Sequence, residues 1–228
     1  MKRTSMHKIE ATLTCVSGVR VGGTADQLEI GGLDLTVIKD PVSLRPYLPG
    51  SSLKGRMRSE LEHQLGRYSK YSNPGHEPCD CCEDQCPVCR VFGPHKFKPA
   101  RPGQAARPHP GPTRLLVRDA QLEDPTAPVN LEIKTESVND RVTGQAGHPR
   151  PVERVAAGTK FRLRMALQVF DDDSKFAYGP ATGKEALLAV VKEALGYVGC
   201  TGIGGGISRG SGEVKIEGWN VTDCKPWQ

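Results

Sequence analysis

The run Phe161–Phe170, FRLRMALQVF, limits the fold more than any other stretch of the chain. Phe161, Leu163, Met165, Leu167 and Val169 fall on every second residue, the period of a strand with one apolar face. His7–Ser17 repeats the pattern, with Ile9, Ala11, Leu13 and Cys15 on one side and polar residues on the other. Arg114–Leu122 and the C-terminal EVKIEGWNV add two more expected strands, and LTVIKD after Asp34 a short one. Such strands need an apolar layer against them. Two segments supply it. Pro49-Gly50-Ser51-Ser52 opens a helix in which Leu53, Met57, Leu61 and Leu65 form one stripe, with Ser51 or Ser52 as the expected N-cap. Lys184–Val198 forms the other, with Ala186, Leu187, Val190, Val191 and Ala194 on one side. Without insertions the order is β-α-β-β-α-β. This predicts an α+β, ferredoxin-like or RRM-like fold: a four-stranded antiparallel sheet with both helices on one face and the other face free.

A chain of 228 residues suits one large domain, so the expectation is a single domain over 1–228 with insertions at 66–113 and 130–159. The N-terminus has no signal-peptide pattern and no apolar run reaches transmembrane length, which predicts a cytoplasmic protein. In that reducing setting eight cysteines read as metal ligands or buried thiols before disulfides. Net charge is only +5, but its distribution is uneven. Gln85 to Arg118 holds no acid and carries Arg90, Lys96, Lys98, Arg101, Arg107, Arg114 and Arg118. Such a cluster suits a polyanion. Aromatics make up 5% of the chain, so backbone contacts to a nucleic acid are expected to outweigh base stacking.

The insertion 66–113 contains HEPCDCCEDQCPVCR. Closely spaced Cys and His side chains can close a tetrahedral zinc site from one short loop. Cys86-x-x-Cys89 is the core pair; one or two of Cys79, Cys81 and Cys82 join it, and His76 is the expected fourth ligand. Insertion 130–159 reads as two extended arms around a glycine-rich tip, a protruding hairpin bearing Lys134, Arg141, Arg150 and Arg154. Lys54, Arg56 and Arg58 sit in the first turns of the first helix, where cations oppose the helix dipole. A bound anion there would offset that cost. The glycine-rich loop Gly199–Gly212, with Ser208-Arg209-Gly210 inside it, follows a helix and precedes a strand, so it is neither a P-loop nor a dinucleotide fingerprint. It reads as either a flexible linker or a phosphate cradle. Asp34 alone reads as a turn residue, and no paired acids or Ser-His-Asp order emerge.

Four motifs in order, PGSSLKGRMR, the His/Cys cluster running into CRVFG, KTESVNDRVTG with PRPVERVAAGTKF, and GxGGGxSRGSG, make the chain similar to the backbone subunit of type III-A (Csm) CRISPR effector complexes, of the RAMP superfamily. The resemblance spans Gly18 to Glu217. It implies a RAMP palm, a thumb hairpin over Lys134–Arg154, and copies stacked head to tail along a CRISPR guide RNA beside other subunits. Guide contacts would involve Ser51, Ser52, Lys54, Arg58 and Arg209, with Gly210 in the same loop and Arg141 on the thumb. Asp34 matches the family's target-RNA cleavage residue, which implies a metal-dependent, RNA-guided endoribonuclease using Mg²⁺ or a similar ion beside a structural Zn²⁺. The alternatives are a non-catalytic guide-binding scaffold, a guide-processing nuclease with His63 as its only nearby candidate, and a zinc-stapled RNA-binding module outside CRISPR.

Overall fold

A computed structural model describes residues 1–22, 35–69, 76–96 and 111–224. In chain order the elements are β1 (Arg3–Cys15), α1 (Gly50–Leu65), α2 (Pro87–Phe92), β2 (Leu115–Val117), β3 (Gln121–Leu122), β4 (Leu131–Asn139), β5 (Ala146–Val155), β6 (Lys160–Phe170), β7 (Ala177–Tyr178), β8 (Ala181–Thr182), α3 (Gly183–Thr201) and β9 (Val214–Asp223). The main sheet runs β2-β6-β1-β9, with β3 also paired to β6. Every pair in it is antiparallel. With β2 and β3 counted as one broken strand, this is the ferredoxin-like order expected from β-α-β-β-α-β.

The register explains why the alternation matters. Ile9 lies opposite Met165 and Leu13 opposite Phe161, so the apolar residues of both central strands share one face. Leu53, Met57 and Leu61 of α1 and Ala186, Leu187, Val190, Val191, Ala194 and Val198 of α3 are buried over that face. Each large aliphatic side chain buried there stabilises the fold by about 1.5–3 kcal/mol. Leu65, the last of the predicted stripe, is only partly buried.

Three local expectations change. Arg114–Leu122 is not one strand: Ala120 exchanges backbone hydrogen bonds with Leu48, 2.8 and 3.0 Å, and this splits β2 from β3. LTVIKD forms isolated bridges instead of a strand, Leu35 to Val152, Val37 to Gly22 and Lys39 to Pro46. Neither Ser51 nor Ser52 caps α1. Pro49 stands at the cap, and Asp119 accepts the Gly50 N–H at 2.7 Å. Only glycine fits at 50, because a Cβ there would meet Val117 O at 2.6 Å.

The hairpin β4–β5 leaves the palm as the sequence predicts, and its base is tied down in several places. Val19 and Val155 exchange backbone bonds at 2.9 and 2.8 Å, and the Glu153 N–H donates to Leu35 O at 2.9 Å. The buried Glu153 carboxylate accepts Val37 N–H at 2.9 Å and Lys39 Nζ at 2.8 Å. At the tip, Asp140 Oδ1 accepts the N–H groups of Val142 and Thr143 and the Thr143 hydroxyl. Asp40 makes the same three bonds to Val42 and Ser43. The chain therefore builds one turn twice, a hundred residues apart, and each copy exposes a valine almost completely: Val42 at 91% and Val142 at 95%.

The basic stretch 85–118 divides. Arg90 and Arg114 are buried and paired with Asp172 and Asp173, which follow β6. The Arg114 guanidinium also lies 4.6 Å from the Phe170 ring centroid. These two cations hold the α2 segment to the sheet and are closed to a polyanion, contrary to the sequence expectation. Lys96 pairs with Glu77, Arg118 is exposed, and Lys98, Arg101 and Arg107 lie outside the described residues.

Candidate metal centre and nucleic-acid interface

The cysteine insertion folds into a knuckle whose sulfurs converge. Sγ atoms of Cys79, Cys81, Cys86 and Cys89 all lie within 4.8 Å of one another, and all four residues are buried. Four of the separations are 3.6, 3.8, 3.9 and 3.7 Å. The edges of a tetrahedron around an ion bound about 2.3 Å from each sulfur are about 3.8 Å, so the set fits a four-thiolate metal site. His76, the expected fourth ligand, is exposed and outside this group, because Cys79 and Cys81 complete the quartet. Cys82 is buried beside it with φ +57°, and its Sγ turns to Asp80 O at 3.4 Å. Hydrogen bonds from the neighbouring Cys79 thiol drive Cys81 and Cys86 towards thiolate, while the same crowding pushes Cys79 and Cys89 up. Cys86 also caps α2, accepting the Cys89 N–H at 3.4 Å.

A closed ring ties the knuckle to α1. The Glu62 carboxylate accepts Arg58 Nε at 2.8 Å and the Cys79 N–H at 2.9 Å, and Arg58 Nη2 donates to Cys79 O at 2.6 Å. Arg58 is thus committed inside the protein, where the sequence suggested a phosphate contact. Arg56 is committed too, to Gly202 O at 3.0 Å and Glu60 at 2.9 Å. Lys54 donates to Thr113 Oγ1 at 3.0 Å, and burial, with help from the nearby Arg58 charge, lowers its pKa. Of the predicted helix-start contacts Ser51 is exposed and Ser52 half-buried.

The glycine-rich loop packs on the first glycine turn. Gly205 N–H donates to Arg20 O at 2.8 Å and Gly212 N–H to Gly18 O at 2.9 Å. Gly204 has φ +91°, and a Cβ there would lie 2.3 Å from Arg20 O, so this glycine serves backbone packing. Arg209 and Gly210 lie beyond that contact and are exposed. The loop meets the thumb: Lys134 Nζ donates to Arg209 O at 2.8 Å, and Arg209 lies 3.5 Å from Glu136. Lys134, Glu136, Arg150 and Arg209 line a cleft of about 360 Å³. Arg154 bonds Ser211 Oγ at 2.9 Å, fixing the thumb base to the same loop. Arg141 stands at the exposed tip. Asp34 lies outside the described residues, but its neighbour Leu35 is bridged to Val152 on the thumb. Helix α1, the glycine loop, the thumb and the segment after Asp34 therefore share one palm. His63 hydrogen-bonds Tyr68 at 2.8 Å on the outer side of α1.

The RAMP superfamily model matches residues 12–215. The chain belongs to the RAMP superfamily. Among curated RAMP relatives, a protein of Methanocaldococcus jannaschii named CRISPR system Cms endoribonuclease Csm3 is 33% identical over 223 residues, covering 96% of this chain and 81% of that one. A protein of the same name from Methanothermobacter thermautotrophicus is 34% identical, covering 94% and 85%. The RAMP palm also matches a solved Csm3–Csm4 subcomplex of the type III-A CRISPR–Cas interference complex at TM-score 0.57 and 22% identity, covering 98% of this chain and 81% of that one. A type III-B Cmr-beta complex bound to cognate target RNA matches at TM-score 0.62 and 16% identity, over 96% and 61%. Among the described residues no helix is long and apolar enough to cross a membrane.

Proposed function

We propose that the chain is the guide-holding backbone subunit of a type III CRISPR effector complex and that it cuts target RNA within that complex. The observation that carries this reading is identity of 33–34% along nearly the whole chain to proteins named as Csm3 endoribonucleases. In this reading the whole chain acts as one RAMP domain in the cytoplasm. Copies stack head to tail on the guide, with the other subunits alongside. Insertions 66–113 and 130–159 are the knuckle and the thumb. Ser51, Ser52 and Lys54 at the helix start, Arg209 and Gly210 in the glycine loop and Arg141 on the thumb hold RNA; Arg58 contributes by fixing the knuckle to α1.

Cys79, Cys81, Cys86 and Cys89 hold Zn²⁺, whose role is structural because four protein thiolates leave no open position. Asp34 acts on the target strand. Its carboxylate helps take the proton of a ribose 2′-OH or holds a hard divalent ion such as Mg²⁺ at the adjacent phosphate. The 2′-oxygen then attacks that phosphorus in line and the 5′-oxygen of the next nucleotide leaves with a proton. When bound, the ion neutralises charge on the phosphoryl oxygens. The test is an assembled complex carrying Asp34→Ala. Loss of target cleavage with guide binding retained supports the assignment. Undiminished cleavage removes Asp34 from the chemistry and leaves the chain as a scaffold.

A further inference from the structure

The face of the sheet opposite the helices carries charge that nothing in the fold uses. Arg162 and Arg164 project from this face of β6 as exposed residues, about 7 Å apart by strand geometry. Arg118 joins them from the break between β2 and β3, with its N–H bonded to Arg164 O at 3.0 Å. Lys8, Arg118, Asp119, Gln121 and Arg164 line a groove of about 490 Å³ on this face. The acids beside it have partners other than the three arginines, although Glu10 stands opposite Arg164 in the register and takes up the groove's own Lys8. Glu10 pairs with Lys8 at 2.9 Å, Glu217 with Lys215 at 2.8 Å, Asp119 takes the Gly50 N–H, and Glu123 accepts the Thr12 hydroxyl at 2.9 Å. Among the described residues no carboxylate lies within 4.0 Å of the Arg118, Arg162 or Arg164 guanidinium.

Three guanidiniums without a carboxylate partner among the described residues, two on β6 and one beside it, offer a site for phosphate oxygens, which arginine binds in bidentate fashion. The solvent-side positions of β1 from Lys8 to Thr14 and of β6 from Lys160 to Gln168 bear no aromatic side chain. Bases therefore have no ring to stack on here, and contact falls on the backbone. The three arginines cluster at one part of β6, on the far side of the sheet from α1, so the cluster is separate from the helix start.

We propose that this open face is a second, sequence-independent binding surface for single-stranded RNA, with Arg118, Arg162 and Arg164 holding its phosphates. It is additional to the guide contacts of the preceding subsection and does not depend on them.

The test uses the full chain saturated with guide RNA and a labelled dodecauridylate as probe, with a polyglutamate peptide as a parallel probe. In the triple variant R118A/R162A/R164A the uridylate affinity should fall by at least about tenfold, and the slope of log K against log salt should flatten by about 2, as three lost single-strand phosphate contacts require. The binding of the first guide equivalent and the circular dichroism spectrum should stay unchanged, since all three side chains are exposed and lie away from the helix start. R162K/R164K keeps the charge and should restore the salt slope while recovering only part of the affinity. Lys54→Ala should leave the uridylate affinity per loaded chain unaltered. Unchanged uridylate affinity and slope in the triple variant overturns the proposal. So does arginine-dependent binding of polyglutamate without uridylate, which would make the face a dock for an acidic protein segment.

Discussion

The cysteine knuckle and the thumb hairpin are both insertions in the same palm, and they use charge in opposite ways. In the knuckle, Arg58, Arg90 and the nearby Arg114 are buried or nearly so, and each is bound by acids or carbonyls inside the chain. In the thumb, Lys134, Arg141 and Arg150 are exposed or partly so along a two-stranded hairpin with almost no core of its own. The knuckle uses its cations for rigidity, whereas the thumb leaves Arg141 and Arg150 exposed and ties Lys134 only to the Arg209 carbonyl of the neighbouring loop. A run of basic residues in sequence thus says little about which of these roles it plays; the position of the acids decides.

The sharpest way to break this contrast is to remove a knuckle sulfur. Cys89→Ser should release the metal and lower stability by roughly 3 kcal/mol or more, read by denaturant unfolding with metal analysis. An unchanged metal content and midpoint would sink the four-sulfur assignment. Asp173→Asn leaves Arg90 and Arg114 buried beside a neutral amide, and should cost about 3–5 kcal/mol in the same unfolding assay. Glu153→Gln removes the partner of Lys39 at the thumb base. About 1–2 kcal/mol is expected, with faster amide exchange at Val37 and Val155. Lys134→Ala with Arg150→Ala should leave stability within about 0.5 kcal/mol and weaken RNA binding in a salt-dependent manner, the reverse of the knuckle variants. A large stability loss there would erase the distinction.

The smallest effect concerns the twin turns. Backbone N–H groups, first those of Ser43 and Thr143, hold the Asp40 and Asp140 carboxyls below the usual carboxylate pKa. A lowered folded pKa supports each turn above the ordinary value of about 3.9, and that support is lost as pH falls through the folded value. The protection factors at Val42 and Val142, corrected for the intrinsic slowing of exchange in acid, should therefore fall in parallel on acidification, and both responses should vanish in Asp40→Ala and Asp140→Ala.

Periodicity made the palm legible. The two-residue alternation of β1 and β6 and the four-residue stripe of α1 each report a face that must be covered, and they are local signals. What sequence did not show was contact between distant residues. The cap of α1 comes from Asp119, far along the chain, so Ser51 and Ser52 looked like the natural choices. Arg90 and Arg114 looked free because Asp172 and Asp173 lie beyond the thumb. Choosing Cys79 and Cys81 over His76 required knowing which way a nine-residue loop closes, and spacing alone allows several closures. The glycine run by itself does not separate a ligand-facing glycine from a packing one: Gly204 answers to the Arg20 carbonyl, while Arg209 and Gly210 are exposed.

The bridge between Leu35 and Val152 makes the thumb a lever with its fulcrum next to position 34. The Glu153 N–H supplies a bond of that bridge, and its carboxylate fastens the neighbouring Val37 and Lys39. The residue that follows Asp34 in the chain is therefore tied by hydrogen bonds to the base of the hairpin, and its position is set from there.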